Sequence, residues 1–185
     1  MSAMPDNISI IQRRKCMTNI HSTNTRPELM LRHKLWHYGL RYRTNDRRLP
    51  GKPDIVLPKY RTVIFVHGCF WHGHQGCKHF VIPKSNTEYW DNKIRRNQDR
   101  DQREWRSLEA KGWFVIIVWE CELNKQTIDE TVARILVTIH NNGALINNLK
   151  AARGKNREAY LKTQREKKDR ANQALSEIKH HYKKA

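Results

Sequence analysis

The segment that most constrains the fold of this chain is VIFVHGCFWHGHQGC, at residues 63–77. It starts as a run of apolar and β-branched residues, which is typical of a buried strand. At His67 and Gly68 this pattern breaks, and the next nine residues supply two cysteines, two more histidines and the aromatic pair Phe70-Trp71. Thiols, imidazoles and aromatic rings at the end of a core strand predict a functional site there.

Metal binding is the first interpretation of this site. Zn²⁺ prefers four sulfur or nitrogen ligands in a tetrahedron, and a set of four protein ligands is structural because it leaves no position for water. The predicted ligands are Cys69, His74, Cys77 and Cys121. The chain has four cysteines and starts without an apolar leader, which favours reduced thiols over disulfides. His72 and His79 are alternative ligands, and Cys16 is distant in the sequence.

Asp54 is a candidate ligand for a second, harder cation. Residues 54–57 and 62–67 are expected to form a hairpin that brings Asp54 near His67 and His72. Mg²⁺ takes oxygen ligands and bridges to phosphates, so a carboxylate with a backbone carbonyl can hold it. A histidine can deprotonate water or protonate a leaving oxygen near neutral pH. An aspartate after proline also suits a plain turn, which is the structural alternative.

Phe70 and Trp71 lie between glycine-containing segments, which is a poor place for core residues. Apolar wedges unstack and kink DNA, and aromatic rings stack on exposed bases. We therefore expect these rings to contact nucleic acid. The alternative is that they cover the metal-binding loop.

Two further acids lie on predicted helices. The segment TRPE at 25–28 has capping-box spacing and starts a helix that ends at Gly39, so Glu28 is either a cap or a catalytic acid. The expected apolar face is Leu29, Leu31, Leu35, Trp36 and Tyr38. A second helix, from Ser85 to about Gly112, carries two polar residues, Asn97 and Asp101, on an otherwise apolar stripe. A buried acid is costly unless it is paired or borders a cleft, so Asp101 is either functional or paired with a neighbouring arginine.

The remaining apolar patterns complete the fold class. Residues 113–119, WFVIIVW, form the most apolar run and predict a central strand. A third helix is expected from Thr127 to Gly143. The order helix, strand, strand, strand, helix, strand, helix predicts an α/β fold with a small mixed sheet.

The charge of the chain points to a polyanionic partner. Lys plus Arg number 36 and Asp plus Glu 18, so the net charge is +18 and the pI is about 10.1. Residues 150–185 hold 12 basic and 4 acidic residues. We expect a basic N-terminal arm at 1–24, a catalytic domain at 25–148, and a basic extension at 149–185 that is a solvated tail or a phosphate-binding arm. No apolar run is long enough to span a bilayer, so a cytoplasmic protein is expected.

Taken together, these residues resemble the very short patch repair (Vsr) DNA mismatch endonuclease family. The matching phrases are LPGKPD at 49–54, VIFVHGCFWH at 63–72, TEYW at 87–90, Lys93-Ile94, Asn97, Asp99-Arg100-Asp101, Gly112-Trp113 and VWEC at 118–121. The similarity runs from about residue 10 to residue 140 with the spacing of the family.

The resemblance implies a restriction-endonuclease-like fold of the PD-(D/E)xK superfamily, with helices flanking a small mixed sheet and a structural zinc site. It implies a Mg²⁺-dependent DNA endonuclease that nicks 5′ of the thymine in T·G mismatches, which arise by deamination of 5-methylcytosine. The expected partner is mismatched double-stranded DNA, bound by a monomer that can also meet other repair proteins. Two alternatives stay open: a restriction-type endonuclease of the same fold that cuts matched DNA, and a zinc-stabilised DNA-binding protein without catalysis.

The resemblance also implies roles for the catalytic residues. Asp54 and the backbone carbonyl of Val66 would hold Mg²⁺, and His72 would be the principal catalytic histidine. The residues that assist it with protons and water would be His67, Glu28 and Asp101.

On the DNA side, the resemblance implies that Phe70 and Trp71 wedge in beside the mismatch and that Met17 enters from the N-terminal arm. Lys93 and Asn97 would lie against the mismatched pair. The structural zinc ligands would be Cys69, His74, Cys77 and Cys121.

Three departures from the family pattern bear on these roles. Val66 stands where other members carry a hydroxyl residue, which a backbone-carbonyl ligand tolerates. Gly73, Gln75 and Gly76 replace a histidine-rich run with one extra residue, so the choice of His74 depends on this spacer. The basic extension has no counterpart in the family pattern.

Overall fold

The structure is a computed structural model that describes residues 23–182; the side chains of 156, 160, 164 and 167–182 lie outside the description. The described chain forms two compact units, one ending at Gly143 and the other beginning at Ala144. The predicted boundary at residues 148 and 149 stays a prediction. So does the arm at 1–24, of which residues 1–22 fall outside the described range.

Helices and strands follow one another in the predicted order. They are α1 (Arg26–His37), β1 (Arg43–Thr44), β2 (Ile55–Leu57), β3 (Thr62–His67), α2 (Thr87–Ala110), β4 (Phe114–Trp119) and α3 (Ile128–Tyr182). Short 3₁₀ turns, Pro58–Tyr60 and Glu120–Glu122, follow β2 and β4. Between residues 23 and 182, no helix combines the length and apolar character that crossing a bilayer requires.

The four strands form one mixed sheet in the order β1-β2-β3-β4. β2 pairs antiparallel with β3, which confirms the predicted hairpin of residues 54–57 with 62–67. Arg61, at φ 48°, completes the turn between them in the left-handed conformation. β3 and β4 run parallel, with His67 beside Trp119. The carboxyl ends of these two strands therefore lie at the same edge of the sheet.

Helices cover both faces of the sheet. Successive strand residues point to opposite faces, and they belong to two separate apolar clusters. On one face, α1 and the first part of α3 contribute to a cluster that includes Leu31, Leu35, Ile55, Leu57, Ile64, Ile116, Val118, Val132 and Ile135. On the other face, α2 contributes to a cluster of Val56, Val63, Phe65 and Leu108, with Trp105 against it. This layered α/β arrangement confirms the predicted fold class, while membership of the PD-(D/E)xK superfamily stays a prediction.

The face that α1 buries differs from the prediction. The buried residues are Glu28, Leu31, Arg32 and Leu35. The predicted members Leu29, Trp36 and Tyr38 are 51%, 52% and 59% exposed. The guanidinium of Arg41 lies 4.0 Å from the ring of Trp36, so that ring is covered at the surface instead. An ion pair between Glu28 and Arg32 occupies the buried stripe, which apolarity alone does not predict.

Two other predictions were wrong: the place of β4 in the sheet and the end of α3. β4 is not central but lies at an edge of the described sheet. Its apolar run reflects cover by helices on both faces rather than strands on both sides. α3 does not end at Gly143 but continues to Tyr182. A Cβ at Gly143 would lie 3.1 Å from Cδ1 of Tyr60, so this glycine permits a close approach of the helix rather than its end.

Candidate active site

A cleft of about 1240 Å³ opens at the carboxyl end of β3. Its walls come from the start of α1, the loop before β2, the end of β3 and one side of α2. Most of the predicted catalytic and DNA-contacting residues line it: Glu28, Asp54, Val66, His67, Trp71, His72, Lys93, Asn97 and Asp101. Met17 lies outside the described residues, and Phe70 packs beside Trp71.

Asp54 is fixed against the end of β3. Its Oδ2 accepts a hydrogen bond from the amide of Val66 at 2.8 Å. Burial raises the pKa of Asp54 to about 6, and the nearby charge of Glu28 adds to the rise against the opposing effects of the Val66 amide and Arg32. A cation relieves a carboxylate that burial destabilises, and Asp54 with the Val66 carbonyl offers oxygen ligands. These residues therefore fit a magnesium ion.

Glu28 is held by Arg32, one helical turn along α1. The Arg32 guanidinium donates to Glu28 Oε2 at 3.0 Å and to the backbone carbonyl of Asp54 at 2.9 Å. The predicted capping box is wrong, because the Thr25 hydroxyl donates to Glu28 instead of accepting an amide of the helix. Arg32 was not predicted: its spacing of four residues from Glu28 is a recognisable ion-pair signal, but the spacing does not indicate the bond to Asp54.

His72 lies between Asp101 and His67. Its Nδ1 is 2.5 Å from Asp101 Oδ2, and its ring stacks on His67 with centroids 3.7 Å apart. Burial and the neighbouring His72 lower the pKa of His67 to about 3, so His67 is neutral at physiological pH. Burial would raise the pKa of Asp101, but the hydrogen bond and charge of His72, together with the hydrogen bond from Arg100, lower it on balance. An ionised carboxylate on one ring nitrogen orients an imidazole for proton transfer at the other.

The aromatic pair after β3 is braced by a third ring. Phe70, Trp71 and Trp90 are partly buried, and their ring centroids lie 5.2, 5.3 and 6.1 Å apart. The side-chain amide of Asn97 donates to the Trp71 carbonyl oxygen at 2.9 Å. Lys93 is exposed on the same helix and lines the cleft. Trp71, Lys93 and Asn97 therefore line the cleft together, and Phe70 packs against Trp71.

Three thiols and one imidazole meet at a second site. Its members are Cys69, His74, Cys77 and Cys121, whose ligand atoms all lie within 4.8 Å of one another. The Sγ atoms of Cys69 and Cys121 are 3.4 and 3.5 Å from His74 Nδ1. Tetrahedral zinc with ordinary bond lengths separates sulfur from nitrogen by about 3.5 Å, so this donor set fits a structural zinc ion. The alternative ligands His72 and His79 do not belong to the group.

The parallel pairing of β3 and β4 explains why ligands from distant segments meet. The register brings the Cys69 loop beside the residues that follow β4. Glu120 Oε1 accepts a hydrogen bond from the amide of Cys69 at 2.8 Å. The His74 ring stacks on Trp119 with centroids 4.1 Å apart and an interplanar angle of 2°. The role of Glu120 was not predicted, although its place next to Cys121 is a signal.

The spacer between His72 and His74 requires glycine. Gly73 has φ 66°, and a Cβ there would overlap Nε2 of Gln98 and lie 2.9 Å from Cγ2 of Ile94. Gln98 also donates to the carbonyl oxygens of His72 and Gly73 at 3.3 and 3.4 Å. α2 therefore lies directly against the spacer, which gives a packing reason for this departure from a histidine-rich run.

Comparisons with known proteins agree with this geometry. Residues 6–79 match the family model of the DNA mismatch endonuclease Vsr. The chain is 47% identical over 111 residues to the DNA mismatch endonuclease Vsr of Escherichia coli, which is 60% of this chain and 70% of that protein. It is 50% identical over 125 residues to the type II nicking enzyme V.NmeAIP of Neisseria meningitidis. This match covers 68% of this chain and 89% of that protein. It is also 50% identical over 121 residues to the type II nicking enzyme V.XorIIP of Xanthomonas oryzae, a match that covers 65% of this chain and 88% of that protein.

These identities extend over most of each relative and confirm the resemblance drawn from the motifs. They also show a DNA endonuclease of the mismatch or nicking kind. The chain belongs to the Vsr DNA mismatch endonuclease family.

Proposed function

We propose that this protein nicks duplex DNA on the 5′ side of the thymine in a T·G mismatch, in a Mg²⁺-dependent reaction that serves very short patch repair of deaminated 5-methylcytosine. One observation carries the proposal: the Asp101–His72 pair and Asp54 share a cleft with Trp71 and Asn97. Groups suited to phosphodiester hydrolysis therefore lie beside groups suited to a disturbed base stack.

The catalytic steps belong to residues around β3. Asp54 and the Val66 carbonyl would hold Mg²⁺, which when bound polarises the scissile phosphate and favours formation of the attacking hydroxide. His72 moves a proton at Nε2, because its Nδ1 is committed to Asp101. His67 is neutral and stacks on His72, so it restricts that ring without adding charge.

Glu28 has a positioning role in this proposal. Its carboxylate stays paired with Arg32, which at the same time holds the backbone carbonyl of Asp54. Water ordered beside Glu28 would lie in the same cleft as His72. In this proposal Glu28 therefore assists catalysis by positioning Asp54 and water.

Recognition belongs to the aromatic side of the cleft. Phe70 and Trp71, braced by Trp90, would enter the base stack beside the mismatch. Lys93 and Asn97 would face the mismatched pair. Met17 would enter from the N-terminal arm.

Zinc and the basic segments have supporting roles. Zn²⁺ held by Cys69, His74, Cys77 and Cys121 would keep the loop between the two sites in place. The segments 1–24 and 149–185 would add sequence-independent phosphate contacts, through Arg13, Arg14 and Lys15 in the first and the excess of basic over acidic residues in the second. One copy supplies one such cleft, so we propose that a monomer makes the nick. Association with other repair proteins stays a prediction.

The test incubates the purified protein and Mg²⁺ with two duplexes that differ only in a T·G or T·A pair. The proposal predicts a nick in the T·G duplex, none in the T·A duplex, and none by D54N in either. Equal nicking of both would favour the restriction-type alternative, which the nicking-enzyme names of two relatives keep relevant. Tight binding without any nick would favour the non-catalytic alternative.

A further inference from the structure

Arg100 lies between two groups of side chains that the proposed function gives to different tasks. Its Nη1 donates to Asn97 Oδ1 at 3.3 Å, and its Nη2 donates to Asp101 Oδ1 at 3.1 Å. The side chain of Asp101 is 6% exposed and that of Arg100 is 49% exposed. The guanidinium therefore bonds to two neighbours on α2 while part of it stays open to solvent.

These two bonds complete a chain from the aromatic cluster to His72. Asn97 donates through its amide nitrogen to the Trp71 carbonyl, at 2.9 Å, and accepts from Arg100 through its amide oxygen. Asp101 accepts from Arg100 through one carboxylate oxygen and meets His72 Nδ1 through the other, at 2.5 Å. A displacement of the Trp71 backbone therefore reaches Asp101 through consecutive hydrogen bonds.

The chemistry of this link favours arginine over lysine. Asn97 and Asp101 are about one helical turn apart, so one side chain lying between them can reach both. A guanidinium is planar and presents its donors in a fixed fork, which sets the positions of two acceptors at once. A lysine ammonium supplies the charge without the fork.

We propose that Arg100 is a positioning residue that couples contact of Trp71 and Asn97 with the mismatch to the orientation of His72. This inference rests on the proposed function. When the mismatch holds Trp71 and Asn97, Arg100 fixes the carboxylate of Asp101 and hence the His72 ring. On matched DNA this restraint is weaker, and the proton-transfer geometry is populated less.

The test separates rate from binding in R100Q, with R96Q as the matched control because Arg96 is an exposed arginine on the same helix. Single-turnover nicking of the T·G duplex is measured with Mg²⁺, and the dissociation constant is measured without Mg²⁺. R100Q should nick about 10- to 100-fold more slowly, as expected for loss of a charged hydrogen bond, with no larger change in binding than R96Q. R100K should recover little of the rate, and it serves the same comparison if R100Q does not fold.

A second arm asks whether Arg100 acts through Asn97. If it does, R100Q combined with N97A should be no slower than the slower single variant. Multiplied effects of the two substitutions would overturn the inference. The inference would also be overturned if R100Q bound the T·G and T·A duplexes equally weakly and R100K restored that binding. Such a result would mean that Arg100 makes a plain phosphate contact.

The outcomes for the wild-type protein separate the two proposals. A wild-type protein that nicks the T·G duplex while R100Q matches R96Q in rate would overturn the inference and leave the proposed function standing. A wild-type protein that does not nick the T·G duplex would overturn the proposed function and the inference with it.

Discussion

The carboxylate of Asp54, just before β2, accepts a hydrogen bond from the backbone amide of Val66, near the end of β3, at 2.8 Å. The antiparallel hairpin thus fixes the acid beside the strand end that leads into His67 and the aromatic pair. The two groups proposed to hold Mg²⁺ lie next to the start of β2 and within β3, so their separation depends on the pairing of these two strands.

Asp54→Asn should abolish nicking and, in metal-free protein, increase stability at neutral pH. The folded pKa of Asp54 is about 6, above its ordinary value of 3.8, so the native state favours the protonated form. The resulting penalty is absent below pH 3.8, grows between pH 3.8 and 6, and is complete above that. D54N should therefore raise the free energy of unfolding by about 1–2 kcal/mol at pH 7.5, after allowance for screening at the cleft, and by only a small part of that near pH 4.

Urea unfolding at the two pH values measures this difference. D99N, a change at an exposed acid on α2, is the control for loss of one negative charge. A gain for D54N that is the same at pH 4 and pH 7.5 would contradict the burial argument. Added Mg²⁺ should raise the Tm of the wild type and not that of D54N.

Asp101→Asn should slow nicking without preventing DNA binding. The change removes the ionised partner of His72 Nδ1, so the ring loses its preferred tautomer and orientation. Single-turnover rates should fall by about 10²- to 10⁴-fold, the usual contribution of a positioned acid or base. D99N should stay close to wild type, and a D101N rate equal to that of D99N would refute the orienting role.

Cys121→Ser should release zinc and lower stability. The four-ligand group loses one of its thiols, and a structural zinc site contributes directly to folding. Metal analysis should show less than stoichiometric zinc, and Tm should fall by about 6–12 °C, equivalent to a loss of about 3 kcal/mol. Cys16→Ser is the control and should keep its zinc. Full zinc content in C121S would remove Cys121 from the ligand set.

Gly73→Ala should destabilise the protein more than Gly76→Ala. Both glycines have positive φ, 66° and 72°, so the backbone strain of alanine is common to both variants. Only Gly73 has close neighbours: a Cβ would lie 2.9 Å from Ile94 Cγ2, whereas nothing lies within 4 Å at Gly76. Thermal or urea unfolding should show an extra loss of about 1–3 kcal/mol for G73A. Equal losses would mean that α2 does not press on the spacer.

The strand ends and the ligand spacing were predictable because they depend on local pattern. The hairpin of β2 and β3 follows from two short apolar runs and the turn between them, and it brings Asp54 near the end of β3. Cys121 could be placed near Cys69 because parallel strands end at one edge of the sheet. Asp101 could be singled out because an acid on an apolar stripe is costly.

The links between these groups were not predictable, because they depend on how far individual side chains reach. Arg32, Arg100 and Glu120 all join groups that the sequence analysis identified separately. Long charged side chains have many rotamers, and no spacing rule decides which acceptor each one finds. The edge position of β4 was missed for a related reason, since an apolar run reports burial of its faces and not its number of strand neighbours.

The most direct measurement maps the cleavage point on a T·G duplex whose two strands carry different end labels. Incubation with wild-type protein and Mg²⁺ should give a single product from the thymine-containing strand, cut at the phosphodiester on the 5′ side of the mismatched thymine. The partner strand and a T·A duplex of the same sequence should stay intact, as should every strand with D54N. Cleavage of both strands, cleavage at the same rate in the T·A duplex, or nicking that persists in D54N would contradict the account.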